Sequence, residues 1–169
     1  MKFTLSTAAL FAVAASLVSA APSSSLDERA TSATTFDDSA DGTHQFIGYP
    51  VGTWTHLTKQ GTGYYKGTES YTHDSNGEYQ IYYGSGSAGL QIWASKKADR
   101  GYFDIYQGTE LIGVGDAHGS CSGNYCKAEK VFEKTNLLAN GNDITVRNRA
   151  TDSRVKGVPF LSIDKAVIA

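Results

Sequence analysis

Short stretches of period-two alternation, each closed by a turn signal, recur along this chain and constrain its fold more than any other feature. In EYQIYYG, Glu78 to Gly84, the residues Tyr79, Ile81 and Tyr83 share one face while Glu78, Gln80 and Tyr82 share the other, as side chains of a strand alternate across a sheet. Leu90, Ile92 and Ala94 repeat the pattern against Gln91 and Trp93, and so do Ile144 and Val146 against Thr145 and Arg147. Turn signals lie between them at Asp41-Gly42, Asn76-Gly77, Gly84 to Gly89, Gly108 and Asn140-Gly141. Short strands separated by close-set turns predict an all-β chain, an antiparallel β-sandwich or barrel.

The stretch DRGYFDIYQGTELIG, Asp99 to Gly113, concentrates acids, a base and aromatics and invites a catalytic reading. Its alternation predicts a hairpin instead. Phe103 and Ile105 point one way, Tyr102, Asp104 and Tyr106 the other, Gln107-Gly108-Thr109 turns, and Glu110 to Val114 begins the return strand. Asp104 and Glu110 are then acids of an outer face and a turn, whereas a glycosidase needs two carboxylates facing each other across a cleft. Near the end, FLSIDKAVI is apolar on both faces, with Leu161, Ile163 and Val167 set against Ala166 and Ile168. That suits a buried strand with a bulge. Ala128, Val131, Phe132, Thr135 and Leu138 fall at helical spacing. A strand is expected there all the same, because a lone helix must dock somewhere and its neighbours read as strands.

The N-terminus reads as a leader. Lys2 precedes an apolar run from Leu5 to Val18, and Val18-Ser19-Ala20 offers the small residues that a signal peptidase needs, so residues 1–20 are expected to be a signal peptide. The run is too short for a membrane anchor. APSSSLDERA, residues 21–30, is either a pro-segment ending at Arg29 or a flexible tail. Residues 31–169 then form one domain. The expected compartment is extracellular.

The formal net charge is −2, with no basic block or stripe, which argues against nucleic acid and anionic membranes as partners. Cys121 and Cys126 are the two cysteines. In a secreted chain they are expected to form a disulfide across a short loop. His44, His56, His73 and His118 are scattered, without metal-ligand spacing, and no nucleophile elbow is present.

The order of motifs resembles the galactose-binding-domain-like β-sandwich, the jelly roll shared by many carbohydrate-binding modules and by fungal secreted or cell-surface proteins. FDDSAD at Phe36 resembles its acidic first strand. GTWTH, with Trp54, and the following GYYKGTESYTHDSNGEYQIYYGSG resemble its Trp, its Tyr-Gly-Thr and its aromatic strand. LQIWASKKADRGYFDIYQG resembles the central pair, NLLANGNDITVRN the penultimate strand and FLSIDKAVI the closing strand with its Asp. Asn142 stands where a His is more usual, and the Cys121–Cys126 loop looks like an insertion. Some relatives of this fold carry a structural calcium between the first and last strands, which the resemblance would place at Asp37, Asp38 and Asp164.

The expected function is non-catalytic binding of a cell-wall or matrix glycan. Sugar rings stack on exposed aromatics, and Tyr49, Tyr64, Tyr65 and Tyr125 lie in Gly-rich or loop-like stretches where ligand residues commonly sit. Trp54 and Trp93 read as core or edge packing. The alternative is a structural or host-directed secreted protein that uses the sandwich for protein contact, with a secreted hydrolase third.

Overall fold

A computed structural model describes residues 33–39, 47–58, 63–82, 89–121, 126–137 and 143–169. Residues 1–30 lie outside the described residues, as do Tyr83, Tyr125 and the turns at Asp41-Gly42 and Asn140-Gly141.

The described residues form twelve strands: β1 (Thr34–Asp37), β2 (Ile47–Val51), β3 (Trp54–Leu57), β4 (Glu69–Thr72), β5 (Glu78–Tyr82), β6 (Gly89–Ser95), β7 (Tyr102–Gln107), β8 (Glu110–Asp116), β9 (Ala128–Thr135), β10 (Asp143–Asn148), β11 (Leu161–Ile163) and β12 (Lys165–Ile168). A single 3₁₀ turn, Tyr65–Gly67, sits between β3 and β4. The strands build a five-stranded sheet, β2-β5-β10-β7-β8, a four-stranded sheet, β1-β12-β6-β9, and a three-stranded sheet, β11-β4-β3. Every pair of neighbouring strands is antiparallel. The described residues form an antiparallel β-sandwich, as the alternation predicts, of the jelly-roll type that the resemblance implies.

The alternating residues fill the core. Ile47, Tyr79, Ile81, Phe103, Ile105, Ile144 and Val146 of the five-stranded sheet cluster with Phe36, Leu90, Ile92, Val131, Ala166 and Ile168 of the four-stranded sheet. Burying each large aliphatic chain is worth about 1.5–3 kcal/mol, which is why the period-two pattern dictates the layers. β2 carries Pro50, which lacks an N–H for a ladder bond, and it lies at the sheet's edge where that lack is tolerated.

A bulge in one segment and a change of sheet in another account for the breaks in strict alternation. β9 is a strand along β6, with a register shift between Ile92 and Trp93 that leaves Val131 as an extra residue. Val131 is buried and the adjacent Phe132 also packs against the core. Two neighbouring apolar residues facing inward imitate helical spacing. In the closing segment the chain breaks step at Asp164. Leu161 and Ile163 are buried before it, Ala166 and Ile168 after it, and Val167 is only half-buried. Val167 therefore does not share the inward face of Leu161 and Ile163, because at Asp164 the chain passes from the three-stranded sheet into the four-stranded one.

Cys121 and Cys126 are bonded to each other, their Cα atoms 5.5 Å apart. Cys121 makes a bridge to Lys97, so the disulfide loop is tied to the segment that follows β6. No helix among the described residues is long and apolar enough to cross a membrane.

Candidate functional site

The outer face of the five-stranded sheet is where strand alternation places aromatic and polar side chains together. The registers of β5, β10 and β7 align Gln80, Thr145 and Tyr106 in one row and Glu78, Arg147 and Asp104 in the next. Tyr82, 41% exposed, and Tyr102, 37% exposed, flank them. Glu78, Gln80, Tyr106, Thr145 and Arg147, with the turn at Gly108-Thr109, line an open groove of about 380 Å³. The Arg147 guanidinium lies 5.3 Å from the centre of the Tyr106 ring and donates to Glu78 Oε1. The Tyr82 hydroxyl donates to Gln80 Oε1. Gly48 leaves room for that ring, since a Cβ there would come 3.1 Å from Tyr82.

Asp104 is engaged by Arg149 through bonds of 2.9 and 2.6 Å. Asp116 and Asp152 are both bonded to Arg154, whose guanidinium stacks 3.9 Å from the Tyr102 ring centre. The guanidinium groups of this face are thus matched by carboxylates. What it offers is a mixed set of hydrogen-bond donors and acceptors around tyrosine rings.

The tyrosines expected in loops occupy different surroundings. Tyr49 is on strand β2, its ring 4.6 Å from Trp54 and its hydroxyl donating to the Asp38 carbonyl at 2.7 Å. Tyr64 is 8% exposed. Its hydroxyl is pushed up to about 12 by burial and by the nearby Glu69 carboxylate. Gly63 and Gly67 do mark a turn, with Lys66 and Gly67 at positive φ, but the turn folds Tyr64 inward and leaves only Tyr65 half-buried. Tyr49 is half-buried, as Tyr65 is, and Tyr64 is the buried one of the three. Tyr125 lies outside the described residues. Trp54 packs against the core, and Trp93 lies half-buried under Lys165.

Tyr64 and Tyr65 both line a hollow of about 310 Å³ on the outside of the opposite layer, together with Gly63, Trp93, Ala128, Asp164 and Lys165. Lys165 Nζ is 5.2 Å from the Tyr65 ring centre and 4.7 Å from that of Trp93. Asp164 Oδ1 accepts from the Tyr65 N–H at 2.7 Å.

Asp37, Asp38 and Asp164 are all buried near one another, but they do not fit a calcium site. Calcium needs six to eight oxygens. Asp37 is instead paired with the Lys66 ammonium at 3.0 Å and accepts from Ser39 at 3.1 Å. Asp38 accepts from Ser70 at 2.7 Å and from the Thr68 hydroxyl. Among the described residues no group of three or more His, Cys, Asp or Glu side chains could hold a metal ion. Protein donors engage Asp37 and Asp38 where a cation would need their oxygens.

Burial raises Asp38 and Asp164 from 3.8 to about 7, with the Asp37 charge adding to the shift at Asp38. Burial also pushes Asp37 upward, but its bonds from Lys66 and Ser39 outweigh that and leave it below the ordinary value. A raised acid keeps its proton in the fold while the unfolded chain has already lost it. Stability from Asp38 and Asp164 therefore falls as pH rises from about 4 to about 7. His56, lowered by burial, acts oppositely as pH falls through its ordinary value. Asp116 and Asp152 are lowered, Asp116 against its burial and Asp152 chiefly, through their bonds from Arg154, and they lose their contribution only in more acid solution. The difference between wild type and Asp164→Asn isolates one group. The wild type should gain melting temperature relative to that variant on going from pH 7 to pH 4.5; a pH-independent difference would show that Asp164 ionises normally.

No protein-family model matches the sequence, and no curated protein matches it. Solved structures do. The CBM36-1 domain of a multidomain xylanase, from the hindgut metagenome of Trinervitermes trinervoides, aligns with a TM-score of 0.53 at 14% identity over 81% of this chain and 96% of its own. An exo-β-1,3-galactanase from Phanerochaete chrysosporium, solved with galactose, aligns with a TM-score of 0.49 at 17% identity over 82% of this chain but 29% of the galactanase. TmCBM61, solved with β-1,4-galactotriose, gives 0.37 at 10% identity over 72% of this chain and 85% of that one. The first likeness fixes the fold class: the chain has the β-sandwich found in carbohydrate-binding modules, in agreement with the galactose-binding-like resemblance.

Proposed function

We propose that this chain is a secreted, non-catalytic glycan-binding domain that lays a polysaccharide along the outer face of its five-stranded sheet. The observation that carries this reading is the Tyr106 groove, where an aromatic ring is surrounded by Gln80, Thr145, Glu78 and Arg147. A sugar ring has an apolar C–H face and an equatorial rim of hydroxyls. Tyr106 suits the face, and the amide, hydroxyl, carboxylate and guanidinium groups suit the rim. The groove is open, which fits the middle of a polymer. The disulfide and the fold likeness to a module of a xylanase support an extracellular, carbohydrate-directed role.

One ring stack with a few exchangeable hydrogen bonds gives weak affinity, roughly −4 to −6 kcal/mol, so dissociation constants should be nearer millimolar than nanomolar. Affinity gel electrophoresis in xylan, β-1,4-galactan, β-1,3-galactan and β-1,3-glucan is the test. Retardation is expected in at least one gel, and Tyr106→Ala should weaken it roughly three- to tenfold. Free migration of the wild type in every gel would sink the glycan reading and turn attention to protein contact.

A further inference from the structure

We propose that the hollow between Tyr65 and Trp93, on the outside of the four-stranded sheet, is a second saccharide subsite that takes one neutral, polyhydroxylated ring. It is distinct from the Tyr106 groove and stands on its own geometry. Among the described residues, two that line it each hold a buried polar atom without a hydrogen-bond partner: the Trp93 indole Nε1 and Asp164 Oδ2. Asp164 is only 1% exposed. Buried polar groups in native proteins are nearly always satisfied, so two orphans on residues that line one hollow need an explanation.

The chemistry of the walls selects the guest. The indole N–H can only donate, the Lys165 ammonium can only donate, and Asp164, which burial holds partly protonated near neutral pH, accepts when ionised and donates when protonated. An anion would suit the first two and be repelled by Asp164 whenever that carboxyl is ionised. A simple cation would suit Asp164 and be repelled by Lys165. A hydroxyl donates and accepts, so adjacent hydroxyls of one ring can satisfy all three groups together. Tyr65 and Trp93 supply aromatic surface for the ring's C–H face, and about 310 Å³ accommodates a small saccharide. The hollow and the Tyr106 groove lie on the outer sides of opposite layers of the sandwich. A domain with both could therefore hold two glycan strands apart by its own thickness.

The indole signals of the two tryptophans make this measurable. Trp54 Nε1 donates to the Val51 carbonyl at 3.0 Å and serves as an internal reference. Nitrogen–proton spectra of the protein would be recorded while titrating xylose, galactose, glucose and mannose, with Trp93→Phe to assign the signals. The expected result is a saturable shift of the Trp93 indole N–H with at least one sugar while Trp54 stays in place. The shift should persist in Tyr106→Ala and weaken fivefold or more in Tyr65→Ala, with Tyr65→Leu as the substitute if the alanine variant does not fold. No saturable shift with any of the four sugars would overturn the proposal. So would a shift that Tyr106→Ala abolishes, or one produced by calcium chloride and not by sugar. Polysaccharide retention through Tyr106 would survive each of these failures, so the two sites are judged separately.

Discussion

Glu69→Ala is expected to destabilise the protein by about 3–5 kcal/mol, the usual cost of removing one partner from a buried ion cluster. Glu69 on β4 is fully buried. Its carboxylate accepts from the Ser95 hydroxyl and lies 3.6 Å from Lys97 Nζ and 3.8 Å from Arg100. Arg100 is itself buried; it donates to Ser162 at 3.2 Å and sits over the rings of Tyr71 and Phe160. Without Glu69, that guanidinium would remain inside and keep only the half-exposed Asp99, 3.1 Å away, as an ion-pair partner among the described residues, while Lys97 would lose its buried carboxylate. Glu69→Gln keeps an oxygen for Ser95 and should fall between wild type and Ala. Urea denaturation reads both; a loss under about 1 kcal/mol for Glu69→Ala would mean that water or side-chain rearrangement rescues Arg100 easily.

Phe103→Ala should cost a comparable amount, about 3–5 kcal/mol, while Asp104→Ala on the opposite face should cost no more than about 1 kcal/mol. Phe103 is 1% exposed, and its ring lies against the backbone of Gly115 on the neighbouring strand, where a Cβ would approach to 2.0 Å. Only glycine leaves room for the ring there, so the cavity left by Ala has a stiff wall and cannot easily collapse. Asp104 is tied to Arg149 at the surface. Parallel urea titrations of the two variants decide the matter, and a larger loss for Asp104 would reverse the assignment of faces and revive that acid as a functional group.

The hairpin's faces were legible because alternation is a local property: Phe103 and Ile105 must share a side whatever lies beyond them. The same held for Gln80 and Tyr82 on the outer face of β5. The groove that Gln80 helps to form was not legible, because Gln80, Thr145 and Tyr106 come together only through strand pairing across distant parts of the chain. Glu69 shows the limit most sharply. A glutamate reads as a surface residue, and nothing local indicates that Ser95, Lys97 and Arg100 converge on it. That Tyr64 is buried and Tyr65 only half-buried was hidden for the same reason. The glycines beside it announce a turn correctly, but whether a turn throws its ring outward or inward depends on what lies beneath, and beneath it is the Glu69 cluster. The helical spacing around Val131 misleads differently, since a bulge in β9 produces it within a strand.

The pairing of β1 with β12 sets a condition on how the molecule is made. Thr34 lies opposite Ile168, so the first described strand finds its partner only when the last has been produced. Closing so long a loop forfeits chain entropy before any contact rewards it, and sheets dominated by such distant pairings acquire their structure in milliseconds to seconds rather than microseconds. Throughout that interval β12 offers an unpaired apolar edge. A newly synthesised copy is therefore most vulnerable to joining its neighbours just before completion, and a chaperone that shields the Lys165–Ile168 edge would improve yield without altering the finished protein.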